Sequence, residues 1–168
     1  MHKNINIKFT GIDKHNVRRG FTLIEVLVVI GIIAVLAAVV LVAVNPSRQF
    51  KLARDSQRTS NVNSILNAIH QNMAEHRGIF VCNGAVKDIP VVPTMVKNSA
   101  TIANYSGDIA ACIVPDYMSA LPFDPAISGA HFASTTDYDT KYEIFQDASG
   151  RITASSTGEL VPTIFVTR

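Results

Sequence analysis

The sequence predicts an α+β protein: a long N-terminal α-helix, membrane-spanning over its first half and amphipathic over its second, kinked near Pro46 and packed on a small C-terminal antiparallel β-meander. Three observations predict it. Residues 21–44 form an apolar run in which Glu25 is the one charged side chain. Downstream of Asn45-Pro46 the apolar residues recur on one side of a helix. Near the C-terminus, short β-favouring runs alternate with turn residues.

The apolar run comes first in the chain and in the reasoning. At 1.5 Å per residue its length corresponds to roughly 36 Å of helix, enough to cross a bilayer with some tilt. An acid near the end of such a helix is costly to bury without a partner charge, so Glu25 asks for one. Proline inside a helix removes a hydrogen bond and clashes with the preceding turn, which places a kink or brief break near Pro46. Beyond it Val62, Ile65, Leu66, Ile69 and Met73 follow the spacing i, i+3, i+4, i+7 and i+11, with Asn61, Asn63, Asn67 and Asn72 off the stripe. His76 and Arg77 followed by Gly78 supply charge for the negative helix end and a C-cap. A helix over 21–77 measures about 85 Å, far beyond the roughly 11-residue globular mean.

After Gly78 the pattern changes. The stretch from Cys82 to Cys112 is rich in Gly, Pro, Asn and Ser, with short apolar pieces at 89–96 and 109–113, and reads as a long surface loop. Strands are expected over 142–146, 151–155 and 159–167, separated by turns at 147–150 and 157–158. Pro162 demotes the third run to an edge or a bulge. Against the helical stripe, Tyr142, Ile144, Ile152, Leu160, Ile164 and Val166 are the candidate core residues of a two-layer α+β fold.

Charge is unevenly distributed along the 168 residues, which carry a net +2. Residues 1–20 hold Lys3, Lys8, Lys14, Arg18 and Arg19 against Asp13, so the remainder is net negative. Bases beside a first apolar helix hold its N-terminus in the cytoplasm and send the rest of the chain outward. Residues 46–77 carry five bases and two acids, and residues 78–168 five bases and nine acids. A basic stalk could dock on the acidic head of a neighbour, while solvated surface charge is the simpler reading for any single residue. An acidic head is a poor surface for nucleic acid, and no specific nucleic-acid partner is expected.

Arg18 to Glu25, reading RRGFTLIE, resembles the processing and methylation site of type IV pilins and of the related pseudopilins of type II secretion. The resemblance covers the first third of the chain with high specificity and the rest only weakly. An ordinary signal peptide has its cleavage site after a short apolar core, whereas here the motif precedes a long one. The resemblance implies a leader, 1–20, cut after Gly20 by a prepilin peptidase/methyltransferase that then N-methylates Phe21. It implies a transmembrane and filament-core helix over 21–45, a stalk helix over 46–77 and an extracytoplasmic head over 78–168. By the same resemblance, Glu25 neutralises the new amine of an adjacent subunit and sets the register of assembly. An intrachain first-turn acid is the bland alternative for Glu25.

The implied partners are other copies of the chain and minor pilins, an inner-membrane platform with its assembly ATPase, and membrane lipid before assembly. The implied location is the inner membrane in a single pass with a cytoplasmic N-terminus, then a surface filament. Within the same machinery the rival is a pseudopilin forming a periplasmic pseudopilus for type II secretion or DNA uptake. A rival of another class is a monomeric, membrane-anchored binding module. Lipid tails are as apolar as leucine, so polymerisation needs an outside energy source. Gly31 in the run permits close helix approach or is simply a tolerated membrane glycine.

Cys82 and Cys112 both lie in the part expected to be exported, where disulfides persist; they are expected to pair, free buried thiols being the other reading. Residues 117–125, YMSALPFDP, are similar to a segment of pilin heads and read as a structural turn. Asp124, Asp137 and Asp139, with Glu143 nearby, could gather oxygen ligands for calcium, although the spacing is not that of an EF-hand and a solvated acidic loop is simpler. No His and carboxylate pair, nucleophile elbow, P-loop or metal triad stands at a telling spacing. The chain is therefore not expected to be an enzyme or to carry a cofactor.

Overall fold

The computed structural model describes residues 20–99 and 105–168. The expected leader, apart from Gly20, lies outside the described residues. The chain divides into two compact units, one ending at Val44 and one running from Asn45 to Arg168.

The first unit contributes helix α1, Leu23–Val44, whose 22 residues are long and apolar enough to cross a membrane. It is apolar on every side, and none of its residues is buried. Helix α2, Pro46–Glu75, opens the second unit. Between them Asn45 takes a left-handed backbone with φ of 45°, and its side chain accepts from the Arg48 N–H at 3.3 Å. Proline at the first position of α2 gives up a donor that a helix start leaves unpaired anyway. The interruption is thus a cap followed by a new helix.

At the other end of α2, His76 is the C-cap and Arg77 and Gly78 both take positive φ, 60° and 89°. The Gly78 N–H bonds to the Met73 carbonyl at 2.7 Å, the longer bond of a Schellman turn. The left-handed position directly after the cap is therefore Arg77, and Gly78 follows it.

The head is built on a five-stranded sheet. A two-residue hairpin, β1 (Val81–Cys82) with β2 (Ala85–Val86), turns on Asn83-Gly84, both at positive φ. Then come β3 (Thr94–Lys97), the short helix α3 (Ala110–Ile113), β4 (His131–Ser134), β5 (Asp137–Gln146), β6 (Ile152–Thr157) and β7 (Thr163–Thr167). The order is β3-β5-β6-β7, with β4 paired to the start of β5, and every pairing is antiparallel. The expected meander is β5 to β7. The region between the cysteines is not a surface loop: β3 joins the sheet, and Ile89, Val96, Ile109, Ala110, Cys112 and Ile113 are buried. Its Gly, Pro and Asn residues mark turns between short elements that do enter the core.

One layer of the core is the α2 face of Val62, Ile65, Leu66 and Ile69, all fully buried. The other is the inward face of β5, where Tyr138, Thr140, Tyr142 and Ile144 alternate with more exposed residues, together with Ile152, Ala154 and Ile164. Helix α2 lies against β6 and β7. Leu160 does not belong to this core; it is 39% exposed in the bend before β7, because the third strand starts only after Pro162. In that bend a Cβ on Gly158 would stand 2.3 Å from the Val161 carbonyl oxygen, so no other residue fits.

Asn72 is also not a surface residue. It is 2% exposed, and its amide donates to the carbonyls of Val81 and Cys112 while its oxygen accepts from the Val81 N–H. Cys82 and Cys112 are joined by a disulfide. One helix side chain thus ties both segments that the disulfide links.

Two measurements check this core. Ile69→Ala is expected to cost about 2–5 kcal/mol in denaturant unfolding. Reducing the disulfide, which closes a loop with a sequence separation of 30, is expected to lower stability by about 3–4 kcal/mol.

Candidate functional site

The N-terminal motif begins outside regular structure. Gly20, Phe21 and Thr22 precede α1, and the Thr22 carbonyl accepts from the N–H groups of Glu25 at 3.1 Å and Val26 at 3.3 Å. The Thr22 hydroxyl accepts from the same Glu25 N–H at 3.3 Å. Thr22 is therefore the N-cap and Glu25 the third helical residue, where a carboxylate sits favourably against the positive helix end. Among the described residues, no cation or side-chain donor meets the Glu25 carboxylate. Phe21 is 81% exposed. A Cβ on Gly20 or on Gly31 would meet no atom of the described residues within 4 Å, so the packing among them demands neither glycine. At Gly31 the missing side chain leaves an apolar notch lined by Leu27, Val28, Ile32, Val35 and Leu36.

A second constellation holds the base of the head. Arg58, on α2, is 2% exposed and donates from Nε and Nη2 to the two oxygens of Asp124, at 2.7 and 3.1 Å. Its Nη1 donates to Asp55 at 2.8 Å and to Glu159 at 3.0 Å. Arg54 grips Glu159 with two further bonds of 2.6 Å. The carboxylates also cap loops. Asp55 accepts from the backbone N–H groups of Glu159 and Leu160, and Asp124 from those of Ala126 and Ile127.

Burial pushes the Asp55 and Asp124 carboxyls up, but these donors outweigh it and hold both below the usual carboxylate range. The Arg54 guanidinium brings Glu159 down to about 2. Arg58 is raised, first by its bond to Asp124. For Asp55, Arg58 and Arg54 the reading as solvated stalk charge is corrected: the two arginines neutralise carboxylates of their own chain, Asp55 among them. The signal was present, because Asp55 and Arg58 lie on the same helical stripe as Val62 and Ile65.

The other expected sites stay apart. Asp124 faces Arg58, Asp137 faces His131 at 3.1 Å, and Asp139 faces Lys141 at 2.5 Å. Among the described residues no group of three or more His, Cys, Asp or Glu side chains could hold a metal ion. The candidate calcium ligands therefore do not converge. The turn read at 117–125 carries Asp124, so its role is to deliver the carboxylate to the buried guanidinium.

Residues 15–41 match the family model described as the prokaryotic N-terminal methylation motif. The match supports classification as a pilin-like or pseudopilin-like prepilin, a structural protein with a methylation motif at its N-terminal end. Comparison with curated proteins and with solved structures gave no significant match.

Removing Arg58 leaves Asp124 and Asp55 buried with no cation, and Arg58→Ala is expected to cost about 3–5 kcal/mol. Carboxyls held below their ordinary values contribute stability that is fully present above those values and lost as pH falls through the folded ones. The acid limb should therefore fall from about 4.5 toward about 2, the ordinary and folded values of Glu159. Urea unfolding at pH 7 and pH 3 should show a smaller loss for Arg58→Ala than for the parent chain.

Proposed function

We propose that the chain is the structural subunit of a type IV pilus-like filament. A prepilin peptidase/methyltransferase cuts after Gly20 and N-methylates Phe21, and the processed chain waits in the membrane as a single-pass protein with its N-terminus in the cytoplasm. Its α1 helices then pack together with those of other copies, driven by a platform and ATPase that other genes encode. Glu25 pairs with the amine of an adjacent subunit.

The observation that carries this reading is a helix apolar on all sides, capped at Thr22, whose single acid meets no cation among the described residues. An isolated carboxylate at the end of an apolar helix is stable where a cation can reach it in a low-dielectric setting, and a neighbouring N-terminus supplies one. Gly20 supports the cut. Nothing in the packing of the described residues around it needs a glycine, whereas a peptidase that threads extended backbone past its carboxylates does.

Glu25→Ala is expected to insert normally and to be processed, yet to abolish polymerisation, read as loss of sheared surface filaments with the chain retained in the membrane fraction. Wild-type polymerisation by that variant would refute the pairing. N-terminal analysis of sheared material should find methylated Phe21 as the first residue; retention of the first twenty residues would end the proposal.

A further inference from the structure

The first two turns of α2 have a sidedness that neither the core nor the ion cluster uses. Residues 46–53 are all exposed, Phe50 by 63% and Leu52 by 52%. At about 100° per residue, Arg48, Lys51 and Arg54 share one side of the helix and Pro46, Phe50, Leu52 and Ala53 the other. The basic side is the one that, a turn later, carries Asp55, Arg58 and Val62 into the head, so Arg48 and Lys51 project beneath it. Arg54 is engaged by Glu159, whereas the Arg48 and Lys51 side chains meet no acceptor among the described residues.

The head's own rim at this level is apolar. The Leu160 N–H bonds to Asp55 at 2.8 Å, and Leu160 and Val161 are 39% and 47% exposed. Unpaired cations beside exposed apolar side chains are the composition of an interfacial surface. Arg48 and Lys51 follow Val44, the last residue of a membrane-length helix, by only four and seven residues. Even fully extended, four to seven residues reach no more than about 13 to 25 Å, so both bases stay near the end of that span whatever the angle between the two helices.

We infer that residues 46–53, with Leu160 and Val161, form a collar that binds anionic phospholipid headgroups. Arg48 and Lys51 take the phosphates, and Phe50 and Leu52 seat among the glycerol and upper acyl groups. The inference rests on the reading of α1 as a membrane span. A second copy's acidic head is the less complementary occupant, because four of its nine acids, Asp124, Asp139, Asp147 and Glu159, are already paired to arginine or lysine of their own chain, Asp124 and Glu159 at the level of this surface.

The chain contains no tryptophan, so single substitutions report their own surroundings. The full chain carrying Phe50→Trp, or Val35→Trp as a span reporter, is reconstituted in phosphatidylcholine vesicles with and without phosphatidylglycerol, and quenching by lipids brominated at shallow or deep positions is read. The Phe50→Trp indole is expected to be quenched by shallow bromines, more so with phosphatidylglycerol, and Arg48→Glu with Lys51→Glu should remove that increment. The collar is overturned if the Phe50→Trp emission stays water-like in both lipids while Val35→Trp is quenched by deep bromines. It is equally overturned if shielding at position 50 rises with protein density and ignores lipid charge, which assigns the surface to a second copy. A water-like Val35→Trp instead refutes the span reading itself.

Discussion

A guanidinium buried in a protein has to be neutralised where it stands, and the base of this head is organised around that requirement. Arg58 faces Asp124, Asp55 and Glu159, which come from a turn after α3, from α2 itself and from the bend before β7. The two loop segments lack extensive pairing of their own, and each is fixed because its carboxylate, or the backbone that Asp55 caps, must meet the same cation. Among the described residues no buried side-chain nitrogen or oxygen is left without a partner. The cluster therefore avoids the desolvation cost that makes half-satisfied ionic groups destabilising. It specifies where two loops sit more than it adds net stability, since a buried ion pair and a well-packed apolar replacement often come out even.

The opposite situation holds in α1. There the backbone is paired inside the helix between its ends, the side chains are apolar all round, and nothing among the described residues covers them. Such a helix has no preference between lipid and its own copies on hydrophobic grounds, because both environments remove it from water equally. Selectivity has to come from the few groups that are not apolar: the carboxylate at the third helical position, the amine that processing would create, and the notch at Gly31. In the proposed filament these would set which copies meet and in what register, while the apolar surface would supply area without direction.

The two-layer plan was legible in the sequence because it rests on periodicity. The stripe Val62, Ile65, Leu66 and Ile69 and the buried residues Tyr142, Ile144, Ile152 and Ile164 are those that spacing singles out. What was not legible had two causes. Short elements between the cysteines are too brief for a period, although Asn83-Gly84 between Cys82 and Ala85 is a hairpin signal that composition alone obscured. Charge was read by residue type and not by position: Asp55 and Arg58 sit on the buried stripe, and a charge at a core position needs a partner. Asn72 was missed for the same reason, since a polar residue near the stripe is free to be a buried staple. At the N-terminal motif, the residues were evident from order and chemistry, while the cap at Thr22 and the lack of packing around Gly20 needed coordinates.

The single side of α2 carries these solutions in sequence. Its last turns present Asn72 to the disulfide-linked segments, its middle turns present Val62 to Ile69 to the sheet, the turn before them presents Asp55 and Arg58 to the loops, and its first turns present Arg48 and Lys51 to no partner among the described residues. A helix whose one face passes from amide to apolar to ion pair to unpaired cation is graded from a dry core toward a charged boundary. The head's acids do not extend far enough to complete that gradient, because those nearest, Asp55, Glu159 and Asp124, are consumed by Arg54 and Arg58. If Arg54 and Arg58 were solvated as their composition suggests, the head would present free carboxylates at its base, and a like-charged anionic surface would repel it. Pairing two guanidiniums with three carboxylates leaves a single negative charge in the cluster, which Arg48 and Lys51 outweigh, so the ion cluster that fixes the loops also decides the sign of the surface below them.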